Sequence, residues 1–346
     1  MNFWADKRVF VTGHTGFKGS WLTMWLARLG SHVVGYSVDV PTRPSLFDMA
    51  RVGELVDDQR GNICDYSRLV TAIERARPDI LIHLAAQPLV RTSYAQPRET
   101  FETNLLGTVN VLEALRHSTS VQTVLMVTTD KVYDVAMHNE AHAEDDRLAG
   151  RDPYSASKVA AEHAIIAYRA SFPGAARIAT VRAGNVIGGG DYARDRLVPD
   201  AIAAFSTGAS VTLRYPDAIR PWQHVLDSLH GYCILAQALH ADAKFAQAWN
   251  IGPANDSSAN VKTVVERLAH GWDVATPWQT EGNQEPHETA VLRLDSRKAN
   301  RELGFTGRLN VDLACEWTTQ WYQEVRAGKD ARVLCDEQIK NYEELA

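Results

Sequence analysis

Residues 8–29, RVFVTGHTGFKGSWLTMWLARL, decide the fold class of this chain. Residues 8–12 are apolar and β-branched, which predicts a buried strand. Glycines follow in G-x-x-G-x-x-G spacing from Gly13 to Gly19, and apolar residues then recur at helical spacing as far as Leu29. A glycine turn between a strand and a helix lets the backbone and the positive end of the helix dipole approach a pyrophosphate. The stretch therefore predicts a dinucleotide-binding βα unit rather than a glycine turn without a ligand.

Composition restricts the function classes. The chain has 346 residues, 45% of them hydrophobic, which suits a large α/β domain with a smaller one attached. The net charge of −6 is spread along the chain, so we expect neither a nucleic-acid partner nor a membrane surface. No apolar run has transmembrane length, and residues 1–8 lack a secretory signal core. Four scattered cysteines predict reduced thiols in a cytoplasmic protein, without a disulfide framework or a metal site.

The rest of the chain alternates between strand and helix patterns. Buried strands are predicted at residues 32–36, 79–84, 121–128 and 177–182, and helices at 67–77, 97–117 and 153–169. This alternation predicts a Rossmann-type doubly wound parallel sheet. A glycine-rich break at residues 183–191 marks a change of domain. We expect a dinucleotide-binding domain of residues 1–184 plus 223–250, and a smaller, discontinuous C-terminal α/β substrate domain of residues 185–222 plus 251–346.

Several polar residues outside the glycine turn have two interpretations each. Asn62 either hydrogen-bonds an adenine amino group or serves its own turn. Asn104 either holds a buried group near the site or faces solvent. Asp39 is placed to read an adenosine ribose but lies close to Arg43, so NAD and NADP both stay open. His138 and His142 are expected to be solvated loop histidines rather than metal ligands.

Tyr154 and Lys158 are spaced to share one helical face, one turn apart. A free tyrosine has a pKa of about 10, too high for a base at neutral pH. A neighbouring ammonium and an oxidised nicotinamide both favour the phenolate and lower that pKa. The pair therefore suits removal of a proton from an alcohol whose hydride leaves for a cofactor.

The combined motifs resemble the extended short-chain dehydrogenase/reductase family, and within it the CDP-glucose branch of the nucleotide-sugar 4,6-dehydratases. The matching runs span most of the chain. They are GHTGFKGSWL (13–22), PSLF (44–47), AAQPLVR (85–91), Asp130-Lys131, DPYS (152–155), residues 181–191, Arg196, RPWQHV (220–225) and Pro286-His287-Glu288.

The resemblance implies a set of cofactor contacts, with NAD as the cofactor and NADP not excluded. These are Gly13, Thr15, Gly16, Phe17, Lys18, Gly19, Ser37, Asn62, Ile63, Ala85, Ala86, Gln87, Asn104, Tyr154 and Lys158. It implies a nucleoside-diphosphate hexose as the substrate. The implied substrate contacts are Gln87, Asn185, Arg196, Arg220 and His287.

The resemblance also implies an internal redox cycle that ends in a 4-keto-6-deoxy sugar. Tyr154 takes the C4 hydroxyl proton while hydride passes from C4 to NAD, water is eliminated across C5–C6, and the hydride returns to C6. Thr129 polarises the developing carbonyl, and Asp130 protonates the departing C6 hydroxyl. Lys131 occupies the position of the C5 base. A lysine base must be neutral, so Lys131 either becomes neutral by desolvation or stays charged and stabilises the enolate.

Three questions stay open at this point. Residues 134–151 lack the Trp-Gly-Tyr-Arg-Glu run of the CDP-glucose branch and border the hexose, which leaves the sugar undecided. A 4-epimerase or a 4-keto reductase on the same fold would need neither an acid at C6 nor a base at C5. By analogy we expect a homodimer through residues 100–115 and 155–170.

Overall fold

The computed structural model describes residues 3–137, 140–174, 176–253, 258–280 and 289–345. Its strands are β1 (Arg8–Thr12), β2 (His32–Ser37), β3 (Asp57–Arg60), β4 (Ile80–His83), β5 (Thr123–Val127), β6 (Arg177–Ala183), β7 (Asn185–Ile187), β8 (Val211–Leu213), β9 (Ile219–His224), β10 (Ala248–Ile251), β11 (Ser258–Asn260) and β12 (Trp278–Thr280). Its helices are α1 (Phe17–Arg28), α2 (Leu46–Met49), α3 (Tyr66–Ala76), α4 (Val90–Ala95), α5 (Pro97–Phe101), α6 (Gly107–His117), α7 (Pro153–Ser171), α8 (Leu197–Phe205), α9 (Val225–Ala241), α10 (Val261–Leu268), α11 (Arg297–Leu303), α12 (Val311–Arg326) and α13 (Ala331–Glu344). Short 3-10 turns lie at Val52–Leu55, Asp130–Val132 and Ala243–Phe245, and a π-helical turn lies at Glu102–Leu106.

Seven strands form one parallel sheet in the order β10-β6-β5-β4-β1-β2-β3. The strand that precedes the glycine turn, β1, lies between β2 and β4. The connections run in opposite directions from this point, and ligands of open α/β sheets bind at such a switch in strand order. The predicted doubly wound Rossmann-type sheet is therefore confirmed.

Both faces of the sheet are covered because its central strands are apolar on both sides. In β1, Phe10 packs into one core with Leu81 and Val124, whereas Val9 and Val11 pack into the core on the other face. Successive side chains of a strand point to opposite faces, so an uninterrupted apolar run requires helices on each side. These helices hold the carboxyl ends of the strands at one edge, where the candidate site lies.

Two smaller sheets, β11-β9-β7 and β12-β8, contain the remaining strands. All of these strands lie between residues 185 and 280, whereas the large sheet uses strands within residues 8–183 and 248–251. Helix α9 packs against β5 and β6 of the large sheet. This distribution supports the division into residues 1–184 plus 223–250 and residues 185–222 plus 251–346, which we retain as a proposal.

Two helix predictions change in detail. The helix predicted at residues 97–117 is helical throughout, but its middle turn is π-helical. The helix predicted to begin at Ser67 begins at Tyr66, because Oδ1 of Asp65 accepts the Arg68 N–H at 3.1 Å and caps the helix. It ends at Ala76, and Arg77 takes a left-handed conformation before Pro78. Within the described residues, no helix is both long and apolar enough to cross a membrane.

Candidate active site

The turns after β1, β4, β5 and β6 meet at the carboxyl edge of the large sheet and line one cleft of about 760 Å³. Most of the residues singled out from the sequence line this cleft. They are Gly13, Thr15, Gly16, Phe17, Lys18, Gly19, Ser37, Asn62, Ile63, Ala85, Ala86, Thr129, Asp130, Lys131, Tyr154, Lys158, Asn185, Arg196 and Arg220. Gln87 and Asn104 lie outside the lining, and His138 and His287 lie outside the described residues.

The glycine turn leaves room for a diphosphate at the start of α1. Gly13 has a φ of +78°, and a Cβ on Gly19 would lie 2.1 Å from the carbonyl oxygen of Gly13, so both positions require glycine. A Cβ on Gly16 would meet only that oxygen, at 3.5 Å, so Gly16 faces open space. No side chain caps the N-terminus of α1. Its backbone N–H groups therefore remain available to an anion, and the turn fits a dinucleotide.

A buried histidine, which the sequence analysis did not single out, holds this turn in place. The His14 ring hydrogen-bonds Ser37 Oγ through Nδ1 at 2.9 Å and Asp58 Oδ1 through Nε2 at 2.8 Å. Burial lowers the His14 pKa although the bond to Asp58 opposes this. A Cβ on Gly35 would lie 2.2 Å from the imidazole, so the glycine within β2 was the available signal. Ser37 therefore positions the turn as well as lining the cleft.

The alternatives left open for Asn104 are resolved by its hydrogen bonds. Asn104 is buried, Nδ2 donates to Gln87 O at 3.0 Å and to Ser157 Oγ at 2.9 Å, and Oδ1 accepts the Gln87 N–H at 2.8 Å. Ser157 Oγ in turn donates to Tyr154 O at 2.7 Å. Asn104 therefore fastens the loop after β4 to the helix that carries Tyr154. The π-helical turn aims the amide inward, as such turns often do at functional sites.

Tyr154 and Lys158 lie on the buried face of α7 toward the cleft. Burial is the largest influence on the Tyr154 pKa and raises it to about 12, although the Thr129 side chain and the charge of Arg196 act to lower it. The expected lowering of this pKa is thus absent in the chain alone, because desolvation of the phenolate outweighs these two influences. Burial and the charge of Lys18 lower the pKa of Lys158 to about 8.

Thr129, Asp130 and Lys131 form a polar corner directly after β5. Asp130 is buried, and its Oδ1 accepts the Thr129 hydroxyl at 3.1 Å. Its Oδ2 is buried without a hydrogen-bond partner in the described chain. Lys131 Nζ lies 4.0 Å from Asp130 Oδ1, and the Lys131 side chain keeps 31% of its exposure. Because unpaired buried oxygens are rare, Asp130 Oδ2 indicates a ligand group that this corner is built to meet.

A buried ion pair supports this corner from behind, and the sequence analysis missed it. Arg182 of β6 donates to both Glu162 oxygens, at 2.9 and 3.0 Å, and Thr128 Oγ1 donates to Glu162 Oε1 at 2.6 Å. Arg182 Nη1 also donates to Tyr133 OH at 2.9 Å. A charged residue inside an otherwise apolar strand was the available signal. Through Thr128, these hydrogen bonds hold the carboxyl end of β5 in place, and this end sets the position of Thr129.

Within residues 134–152, His142 differs from the solvated loop histidine that we expected. His142 is buried, with Nδ1 hydrogen-bonded to Asp146 Oδ2 at 2.9 Å. Its ring stacks on Tyr133 with centroids 5.0 Å apart. The expectation for His142 failed because this residue pairs with Leu294, a contact that is remote in sequence. Among the described residues no group of His, Cys, Asp and Glu is arranged to hold a metal.

Three polar residues line the opposite wall of the cleft. Arg196 Nη1 lies 2.9 Å from Asp191 Oδ2, and its charge acts on Tyr154. Arg220 is buried, and Nη1 donates to Ile219 O at 2.8 Å. Asn185 Oδ1 is buried without a partner in the described chain. Two guanidinium groups and an unused amide oxygen form a wall suited to a diphosphate and its sugar.

Comparison with known proteins agrees with this geometry. Residues 10–318 match the family model described as GDP-mannose 4,6 dehydratase. The chain is 42% identical to a CDP-glucose 4,6-dehydratase from Salmonella typhimurium, over 99% of this chain and 97% of that protein. It is 28% identical to a dTDP-glucose 4,6-dehydratase from Streptomyces antibioticus, over 92% and 93% of the two chains. The structure resembles that of a dTDP-glucose 4,6-dehydratase from Bacillus anthracis in complex with NAD, with a TM-score of 0.77, 20% identity and coverage of 91% and 96%.

Proposed function

Because the chain belongs to the GDP-mannose 4,6-dehydratase family, we propose that it is an NAD-dependent hydro-lyase that converts CDP-glucose to CDP-4-keto-6-deoxyglucose. The observation that carries the proposal is the corner of Thr129, Asp130 and Lys131 beside Tyr154 in a cleft whose glycine turn fits a dinucleotide. Identity of 42% along nearly the whole chain supports CDP-glucose over other nucleotide hexoses.

Oxidation at C4 is assigned to Tyr154, Lys158 and Thr129. NAD held by the glycine turn at the start of α1 would supply the hydride acceptor for C4 and the hydride donor for C6, so no net oxidant would be consumed. Tyr154 accepts the C4 hydroxyl proton, and Thr129 donates to the developing carbonyl oxygen. Since burial raises the Tyr154 pKa to about 12, the phenolate needs the positive charge of Lys158 beside the reacting group.

Elimination of water across C5–C6 is assigned to Asp130 and Lys131. Asp130 Oδ2 is buried and unpaired, which suits a group that gives a proton to the departing C6 hydroxyl. The ammonium of Lys131 lies 4.0 Å from the Asp130 carboxyl group, and its side chain remains partly exposed. Lys131 therefore has one of two roles: either the bound hexose excludes its water and neutral Lys131 takes the C5 proton, or charged Lys131 stabilises the enolate while another group takes that proton.

The direct test is a product screen with CDP-glucose, UDP-glucose, dTDP-glucose and GDP-mannose in the presence of NAD. We expect CDP-glucose to lose one water and to give a 4-ketone that absorbs in alkali. The mass of the product and its absorbance measure this outcome. Absence of the ketone with all four nucleotide sugars would contradict the assignment as a dehydratase. A ketone formed from one of the other three instead of CDP-glucose would show that CDP-glucose is not the substrate.

The buried lysine gives a pH dependence with a defined sign. Burial and Lys18 lower the pKa of Lys158 to about 8, so Lys158 is charged below this pH and neutral above it. We expect kcat/KM at saturating NAD to fall as the pH rises through about 8, because the phenolate of Tyr154 loses its neighbouring charge. Removing one positive charge with Lys18→Met should move this fall to higher pH.

The matched control is Tyr232→Phe, which removes the 3.0 Å hydrogen bond to Lys18 Nζ but leaves the charge of Lys18 in place. Its pH profile should follow that of the unaltered protein. A profile that stays unchanged in Lys18→Met would show that Lys18 does not act on Lys158.

We further propose that the chain forms a homodimer through the predicted segments at residues 100–115 and 155–170. Leu106 and Ile166, one in each segment, are 54% and 39% exposed. Their apolar surfaces would be covered by the same helices of a second copy. Sedimentation should give about twice the chain mass of 38.4 kDa, and a Leu106→Asp/Ile166→Asp variant should sediment as a monomer. A monomer before any substitution would contradict the proposal.

Four unpaired cysteines and a nucleotide-sugar substrate support action in the cytoplasm.

A further inference from the structure

The wall of the cleft formed by α8 and β8 carries polar groups that the dehydration chemistry does not use. Asp200 of α8, and Thr212 and Arg214 on and after β8, line this wall beside the apolar side chains of Val211 and Leu213. Helix α8 packs directly against β8. Arg196, a proposed diphosphate contact, immediately precedes α8. A nucleotide sugar whose hexose lies at Tyr154 and whose phosphates lie at Arg196 therefore places its nucleoside at this wall.

Asp200 differs from the other carboxylates of the substrate wall in having no close cation. Asp191 pairs with Arg196 at 2.9 Å, and Asp195 pairs with Arg91 at 2.9 Å. Among the described residues, Asp200 has no Lys, Arg or His nitrogen within 4.0 Å, and its side chain is exposed to the cleft. The cations that act on it, Arg214 and Arg91, do so at longer range.

Partial burial and the nearby charge of Asp195 favour binding of a hydrogen-bond donor to the Asp200 carboxylate. Partial burial raises the Asp200 pKa to about 6, and the charge of Asp195 acts in the same direction. The backbone N–H of Asp195 and the charges of Arg214 and Arg91 act to lower this pKa but do not outweigh burial. At neutral pH the group is ionised, and ligand binding will remove the water that now solvates it. A ligand that binds here must replace that water with an N–H or O–H donor.

We propose that Asp200 selects the nucleobase by accepting a hydrogen bond from the exocyclic amino group of cytosine. Uracil and thymine present a carbonyl oxygen at the same ring position, which an ionised carboxylate repels. The inference rests on the proposed function, because it requires a nucleotide sugar in this cleft. It goes further by assigning the choice among pyrimidine nucleotides to one side chain.

A purely structural role for Asp200 makes a different prediction. Asp200 lies in the first turn of α8, where a negative charge stabilises the helix dipole. If this were its whole role, replacement would lower the melting temperature and would weaken activity equally for every nucleotide sugar. The nucleobase role instead predicts a change in the ratio between substrates.

The test is the ratio of kcat/KM for CDP-glucose to kcat/KM for UDP-glucose in the unaltered protein and in Asp200→Asn. An amide of the same shape can donate to the uracil carbonyl, so we expect the ratio to fall at least about tenfold in Asp200→Asn. Asp195→Asn is the matched control, since it removes a neighbouring carboxylate that pairs with Arg91. Its ratio should stay that of the unaltered protein.

A second measurement compares competition by CMP and by a CMP analogue that lacks the 4-amino group. The unaltered protein should prefer CMP, and Asp200→Asn should lose that preference. Should Asp200→Asn fail to fold, Asp200→Ser removes the same charge and must show the same loss. An unchanged kcat/KM ratio in a folded variant would overturn the inference while leaving the dehydratase assignment intact. Failure of the unaltered protein to dehydrate CDP-glucose would instead overturn the assignment.

Discussion

Tyr154→Phe is expected to lower kcat for 4-ketone formation by about 10²–10⁴-fold, the range lost when a general base is removed. The phenol is buried and lines the cleft together with Thr129, so no solvent-exposed group can replace it as the acceptor of the C4 proton. Because oxidation at C4 precedes every later step, the variant should form neither reduced cofactor nor ketone. Absorbance of the reduced nicotinamide and of the ketone in alkali measures both.

Tyr168→Phe is the matched control, since Tyr168 lies on the same helix and its hydroxyl donates to Glu113 away from the cleft. Both variants should melt within a few degrees of the unaltered protein, as expected for the loss of one hydroxyl group. Turnover of Tyr154→Phe at the rate of Tyr168→Phe would remove Tyr154 from the proposed reaction.

Lys131→Met is expected to separate the oxidation from the elimination. Oxidation at C4 relies on Tyr154, Lys158 and Thr129, and among the described residues the only Lys131 group that bonds one of them is its backbone N–H, which donates to Thr129 Oγ1 at 3.3 Å and is kept in the variant. The variant should therefore still oxidise C4, and reduced cofactor should accumulate because water is not eliminated. We expect the rate of ketone release to fall by about 10²–10⁴-fold while the first hydride transfer remains measurable in a single turnover.

Lys131→Arg distinguishes the two roles that remain open for this residue. Arginine keeps the positive charge near Asp130 but stays protonated, so it can stabilise an enolate and cannot remove the C5 proton. Recovery of activity in Lys131→Arg would assign the charged role, and its absence would assign the base. Normal turnover by both Lys131→Met and Asp130→Asn would contradict a dehydratase and would favour 4-epimerase or 4-keto reductase chemistry on this scaffold.

The sheet could be predicted from the sequence because its signals are local. The apolar run at residues 8–12 and the glycines after it lie within one βα unit, and apolar runs also mark β2, β4, β5 and β6. The polar strand β3 (Asp57–Arg60) carries no such run and was not predicted. Even so, local reasoning misplaced the start of α3. Ser67 and Asp65 are both good N-caps, and only the observed hydrogen bond from Arg68 N–H to Asp65 shows which of them caps the helix.

The candidate catalytic residues could also be predicted, because the sequence itself shows their spacing on one helix and their position at a strand end. The residues that hold these catalytic side chains and the glycine turn in position could not be predicted from the sequence. His14 reaches Asp58 across 44 positions, and Asn104 reaches Ser157 across 53. Neither pairing follows a helical or strand period, so the sequence does not show which residues are partners, and Gly35 within β2 is only an indirect signal for His14. The same limit explains why His142 was expected to be solvated.

Local periodicity and residue chemistry were enough to predict the Rossmann-type sheet, the glycine turn and the Tyr154–Lys158 pair. Tertiary structure alone decided the electrostatics of the site. Burial raises the pKa of Tyr154, and burial and Lys18 lower that of Lys158. Among the described residues, one side-chain oxygen each of Asp130 and Asn185 is buried without a hydrogen-bond partner. The reason is that the free energy of a charge or a hydrogen bond depends on which distant segments exclude water from it.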